Sequence, residues 1–80
     1  MNRYSIKFQS ECPVNGDCIE YSLTIESENL IQVEKIKDEI KSYTRGFHET
    51  FADKLYEKFG GKQFMVAIHG GVKIETERGL

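Results

Sequence analysis

Two chemically equipped side chains stand either side of a tight turn in the segment Ser10-Glu11-Cys12-Pro13-Val14-Asn15-Gly16-Asp17. Cys12 ends one strand pattern, and Asp17 follows across a Pro-Val-Asn-Gly turn. A thiol is a nucleophile only as its thiolate, so it needs a base or a positive field close by. A carboxyl group across the turn is placed to move that proton. Phe47-His48-Glu49 and His69-Gly70-Gly71-Val72 follow downstream, adding an imidazole beside a carboxylate and a second imidazole at a glycine pair. Each of these residues also has a plainer use. Cys12 suits a buried turn position, and Asp17 suits a turn residue bonded to its own backbone. His48 suits a structural helix position, and Glu49 a solvated one. His69-Gly70-Gly71 reads first as a turn, with glycines adopting backbone angles closed to other residues.

Composition narrows the classes of function. The chain has 80 residues and a formal net charge of −2. That length implies one domain, residues 1–80, which buries only about 60% of its unfolded surface and favours association. The charge argues against an autonomous nucleic-acid binder, since neutralising phosphates takes clustered Lys and Arg; it leaves RNA open as a substrate. Lys37 with Lys41, and Lys54 with Lys58, share helical faces that an assembly would align into a larger positive patch, or that simply meet water. No apolar run reaches the roughly 20 residues that cross a bilayer, and the start shows no secretory signal pattern. A cytoplasmic protein with no membrane partner is expected. A disulfide between Cys12 and Cys18 is not expected in a reducing compartment. Two cysteines and two widely spaced histidines make a poor zinc set, so no metal is expected. Cys18 reads as a small buried or half-buried residue.

The elements that must hold these groups follow from periodicity. Tyr4, Ile6 and Phe8 alternate with polar residues, and so do Ile19, Tyr21, Leu23 and Ile25, predicting two strands paired antiparallel across the short turn. Asn29 with Gln32 has the spacing of a capping box, opening a helix of about four turns with Ile36, Ile40 and Tyr43 on one stripe. After Gly46, Phe47, Phe51, Leu55 and Phe59 recur every four residues as a second helix, which Gly60-Gly61 ends. Phe64, Val66 and Ile68 alternate with Met65, Ala67 and His69. Beyond Gly70-Gly71, Val72 and Ile74 alternate with Lys73 and Glu75. The result is an α+β chain of order ββααββ, an antiparallel four-stranded sheet with two helices on one face. Lys7, Glu20, Thr24, Lys73 and Glu75 make its other face polar, which suits the watery interior of an oligomeric barrel.

In order and motif the chain resembles the tunnelling-fold family, and within it the QueF group acting on 7-cyano-7-deazaguanine. Phe8–Gly16 resembles that group's nucleophile segment and Asp17 its proton-donating aspartate, with two residues of the usual turn missing. Phe47-His48-Glu49 and Gly70-Gly71-Val72-Lys73-Ile74 are similar to two further motifs. The nitrile reductases of the group carry a Glu-Ser-Lys-Ser-hydrophobic-Lys-Leu-Tyr type segment, associated with NADPH, on the first helix. Gln32–Glu39 stands there in this chain, and Asp38-Glu39 is a poor neighbour for a phosphate-bearing cofactor. Retained substrate motifs without the hydride-donor segment resemble the QueF-like archaeosine synthases, which amidate the nitrile on tRNA.

That resemblance implies a set of roles. Cys12 would add to the nitrile as a covalent thioimide. Asp17 would protonate the nitrogen and later assist ammonia, the nitrogen donor. Glu49 would accept both N–H groups of the guanine-like edge across a subunit interface. His48 would orient substrate or relay protons. Gln32 stands where the reductases have a second glutamate, flanked by Ile31 and Val33, and serves equally well as a cap. The family implies a homo-oligomer, a decamer of two stacked pentamers, needing no cofactor. Two rivals stay open: an NADPH-dependent nitrile reductase, and a non-catalytic deazaguanine-binding or assembly protein.

Overall fold

Alternating apolar and polar residues generate four strands, and a change of period between the second and third generates two helices. The computed structural model describes residues 1–80 as β1 (Asn2–Glu11), β2 (Cys18–Ser27), α1 (Val33–Lys41), α2 (His48–Phe59), β3 (Lys62–His69) and β4 (Val72–Arg78). The strands form one antiparallel sheet in the order β1-β2-β3-β4. The ββααββ order and antiparallel sheet are those expected from the sequence.

Register sets which side chains meet the helices. Phe8 lies opposite Tyr21, Tyr21 opposite Ala67, and Ala67 opposite Ile74, making one transverse row on the helix side. The next row is Ile6, Leu23, Met65 and Thr76. Ile36 of α1 and Phe51, Ala52 and Leu55 of α2 close over these rows in a single core. Tyr43 and Phe51 stack at 4.7 Å, and Phe8 stacks on Tyr21 at 5.1 Å. Such pairs add about 0.5–1.5 kcal/mol each beyond the area they bury. Gly60, with φ of 63°, stops α2. The buried amide of Gln63 then donates to the Leu55 and Gly60 carbonyls, satisfying acceptors that a helix end leaves free.

Three expectations need correction. The Asn29–Gln32 capping box does not form. The Asn29 amide bonds the Ser27 hydroxyl at 3.0 Å, α1 begins at Val33, and Gln32 is its N-cap without a side-chain hydrogen bond. Consequently α1 has 9 residues, shorter than four turns, and Tyr43 enters the core from beyond its end. Secondly, Cys18 is exposed, because its register opposite Glu11 turns it away from the helices. Thirdly, the open face is only partly polar. Lys7, Glu20, Thr24, Lys73 and Glu75 share it, with Lys7 4.0 Å from Glu20 and Lys73 3.1 Å from Glu75. Through their midst runs an apolar row of Phe64, Val66 and Ile68, the last 66% exposed. Both parities of β3 are apolar, so alternation alone cannot choose its inward side. Pairing with Leu23 and Tyr21 chooses Met65 and Ala67.

Candidate functional site

The β1–β2 turn is held from two sides. Within it, the Cys12 amide donates to the Asp17 carbonyl at 2.8 Å and the Gly16 amide to the Cys12 carbonyl at 2.9 Å. Gly16 takes a φ of 77°, open to glycine at little cost. Alongside, the chain before α2 runs parallel to the end of β1. The Glu11 amide donates to the Thr44 carbonyl at 2.9 Å and the Gly46 amide to the Glu11 carbonyl at 3.2 Å. Arg45 clamps the turn from outside, donating to the Pro13 carbonyl at 3.0 Å. This short ladder brings Cys12 next to Phe47 and His48.

Between the β1–β2 turn, the start of α2 and the β3–β4 turn lies a cavity of about 280 Å³. Cys12, Asn15, Tyr21, Phe47, His48 and His69 are among the residues lining it. Cys12 is only 4% exposed, so its thiol belongs to this cavity and the core beneath it. Phe47 is 55% exposed, standing at the helix N-cap instead of in the core stripe with Phe51 and Leu55. Gly70 and Gly71 take positive φ values of 59° and 81°, as the tight turn after His69 requires.

His48 is inserted between α2 and the sheet. Its Nε2 lies 3.1 Å from the Met65 carbonyl and 3.0 Å from the Thr76 hydroxyl, while Nδ1 is buried with no partner. A carbonyl oxygen only accepts, so Nε2 carries the proton. Burial holds the imidazole below its ordinary range and Arg78 pushes the same way; the Met65 bond and the Glu49 charge oppose them. The imidazole is therefore the neutral form with a fixed tautomer. Tyr21, packed edge-on to His48 at 5.3 Å, has its phenol pushed up by burial first and by its electrostatic interaction with the neighbouring Cys12 second. It stays a neutral O–H facing the same space.

The remaining expected residues are dispersed. Asp17 is exposed and lies outside the cavity lining; its carboxylate stands 3.7 Å from Nε2 of His69. Glu49 is exposed in the first turn of α2, one residue from His48 and also outside the lining. Ile31, Gln32 and Val33 precede and open α1 at the opposite end of β2. Ten strand residues span about 33 Å, so these three do not meet Cys12 within one chain. Ile31 is buried and donates its amide to the Tyr4 hydroxyl at 3.0 Å, whereas Gln32 and Val33 are exposed. No three His, Cys, Asp or Glu side chains converge in a group fit to hold a metal ion. Sequence reasoning placed Tyr21 in the core and did not single it out. Nothing in its alternation distinguishes it from Leu23, because its place beside Cys12 comes from strand register.

A crystal structure of the archaeosine synthase QueF-Like in the apo form matches the chain with a TM-score of 0.73 and 26% sequence identity, covering 99% of this chain and 93% of that one. No family model matches the chain, and no curated protein does. With its meander sheet, paired helices and full-length agreement with that structure, the chain has the QueF-like tunnelling fold.

Proposed function

We propose that this protein is a tRNA-modifying amidinotransferase, converting the nitrile of 7-cyano-7-deazaguanine in tRNA to the amidine of archaeosine. The observation that carries this reading is the Cys12 thiol lining a cavity in a fold shared with an archaeosine synthase. The thiolate attacks the nitrile carbon and forms a thioimide. A proton reaches the new nitrogen from the Asp17 side of the cavity. Ammonia then adds to the thioimide carbon, and expulsion of Cys12 leaves the amidine. Hydride transfer has no part in these steps, and no cofactor is invoked. Gln32–Glu39 stands where the reductases carry their NADPH-associated segment, which supports this reading over an NADPH-dependent reductase.

Glu49 accepts the ring N–H and exocyclic amine of the base, charge-assisted and bidentate. His48 forms the wall that orients it. Ile31, Gln32 and Val33 reach the base only from a second copy, so the working site lies between subunits. Two features support assembly: β1 and β4 leave open sheet edges, and only 19 of 80 residues are buried. Edge pairing between copies closes a barrel, here a pentamer stacked in pairs as a decamer. Cys12 and Cys18 are free thiols, which suits a reducing cytoplasm.

Intact-mass spectrometry after mixing the protein with the free cyano base tests the proposal. An adduct of the base's mass on the wild type, absent from Cys12→Ser, is expected. Conversion to amidine then requires ammonium and nitrile-bearing tRNA. Loss of nicotinamide absorbance with amine product on adding NADPH would instead establish the reductase, and unchanged function in Cys12→Ala a non-catalytic binder. Light scattering checks the decamer.

A further inference from the structure

His69 lines the cavity that holds Cys12, and Asp17 does not. The Asp17 carboxylate is exposed, 3.7 Å from Nε2 of His69. Its Oδ2 also accepts from Asn15 Nδ2 at 3.1 Å, while the Asp17 amide donates to Asn15 Oδ1 at 3.0 Å. These paired bonds aim the carboxylate at the imidazole. His69 is half-buried, so its ring is open to a ligand beside Cys12. The other imidazole of the cavity is not free in this way: Nε2 of His48 faces Met65 and Thr76, and its Nδ1 is sealed from solvent. A proton passing between Asp17 and the cavity therefore has His69 in its path.

Resting on the amidinotransferase reading above, we infer that His69 is the catalytic acid–base of this cavity and Asp17 the positioning residue that holds it. His69 takes the thiol proton of Cys12. The thiolate then forms the C–S bond, and the imidazolium returns the proton to the nitrile nitrogen, so that S–H has added across C≡N. When ammonia attacks the thioimide carbon, His69 accepts one N–H proton, the C–S bond breaks, and the proton returns to the departing sulfur. Every proton that leaves one group arrives on another, and no oxidant or reductant enters. The groups that bear on His69 are Asp17 and Asn15 of the β1–β2 turn, with Cys12, Tyr21 and His48 lining the same cavity. Lys73 and Glu75 of β4 project from the opposite face and do not compete.

The test is the rate of the Cys12 adduct with the free cyano base, followed by intact mass across pH in the wild type, His69→Gln, Asp17→Asn and the double variant. His69→Gln should slow adduct formation on the order of 10²-fold or more, and its pH profile should lose one inflection. Asp17→Asn should slow it less, and the conservative Asp17→Glu should restore most of the rate. The double variant should be no slower than His69→Gln, as expected of groups acting as one unit. Wild-type rates and profile in His69→Gln, or multiplying effects in the double variant, overturn the inference while leaving the Cys12 chemistry standing. No adduct on the wild type overturns the amidinotransferase reading itself.

Discussion

His48 and Thr76 meet 3.0 Å apart where α2 crosses β4, at the same ring nitrogen that faces the Met65 carbonyl. Through this contact the helix carrying Phe47-His48-Glu49 is tied to the last strand of the sheet, and one wall of the cavity is set. Thr76→Val keeps the shape and removes the hydroxyl. A loss of about 1–2 kcal/mol is expected in urea unfolding, since a buried polar group loses a partner. Thr76→Ser should retain most of the stability; equal losses in both variants would assign the effect to packing.

The buried imidazole also makes stability depend on pH. Burial depresses the folded-state value of His48, so the unfolded chain takes up this proton first as pH falls. The contribution is fully present above the ordinary imidazole value of about 6.5 and is lost as pH drops from there toward the folded value. Unfolding free energies of the wild type and His48→Gln should thus converge between about pH 7 and 5. A constant difference across that range would show that His48 is not held neutral.

Gly46 has no room for a side chain. A Cβ there would lie 2.6 Å from the Phe51 ring, which is stacked on Tyr43 in the core. Gly46→Ala should cost about 1–3 kcal/mol by overpacking. It should also displace the start of α2, and with it Phe47 and His48, from Cys12. Thermal unfolding reads the first effect, and the rate of thiol labelling at Cys12 the second.

Arg45 acts locally. Its bonds to the Pro13 carbonyl and, at 3.5 Å, to the Glu11 carboxylate are exposed, so Arg45→Ala should change global stability by less than about 1 kcal/mol. Hydrogen exchange at the Cys12 and Gly16 amides should nevertheless quicken, because the clamp on the turn is gone. Unaltered exchange there would leave the backbone ladder to Thr44 and Gly46 as the sufficient restraint.

Much of this protein is written in short-range pattern. Alternation in Tyr4–Phe8 and Ile19–Ile25, the four-residue spacing of Phe51 and Leu55, and glycines at Gly16, Gly60 and Gly70-Gly71 determine the strands, the second helix and the turns. Each depends on steric and solvation preferences acting within a few residues. The order of the Cys12, His48 and His69 segments is equally a property of the sequence. Tertiary structure alone decided that Met65 and Ala67 face inward while Phe64 and Val66 do not, that α1 starts at Val33, and that Tyr21 stands beside Cys12. It also turned His48 toward Thr76 and set Asp17 against His69 from outside the cavity. These choices follow from strand register and from the closing of distant turns upon one another, which no periodicity within a single segment encodes.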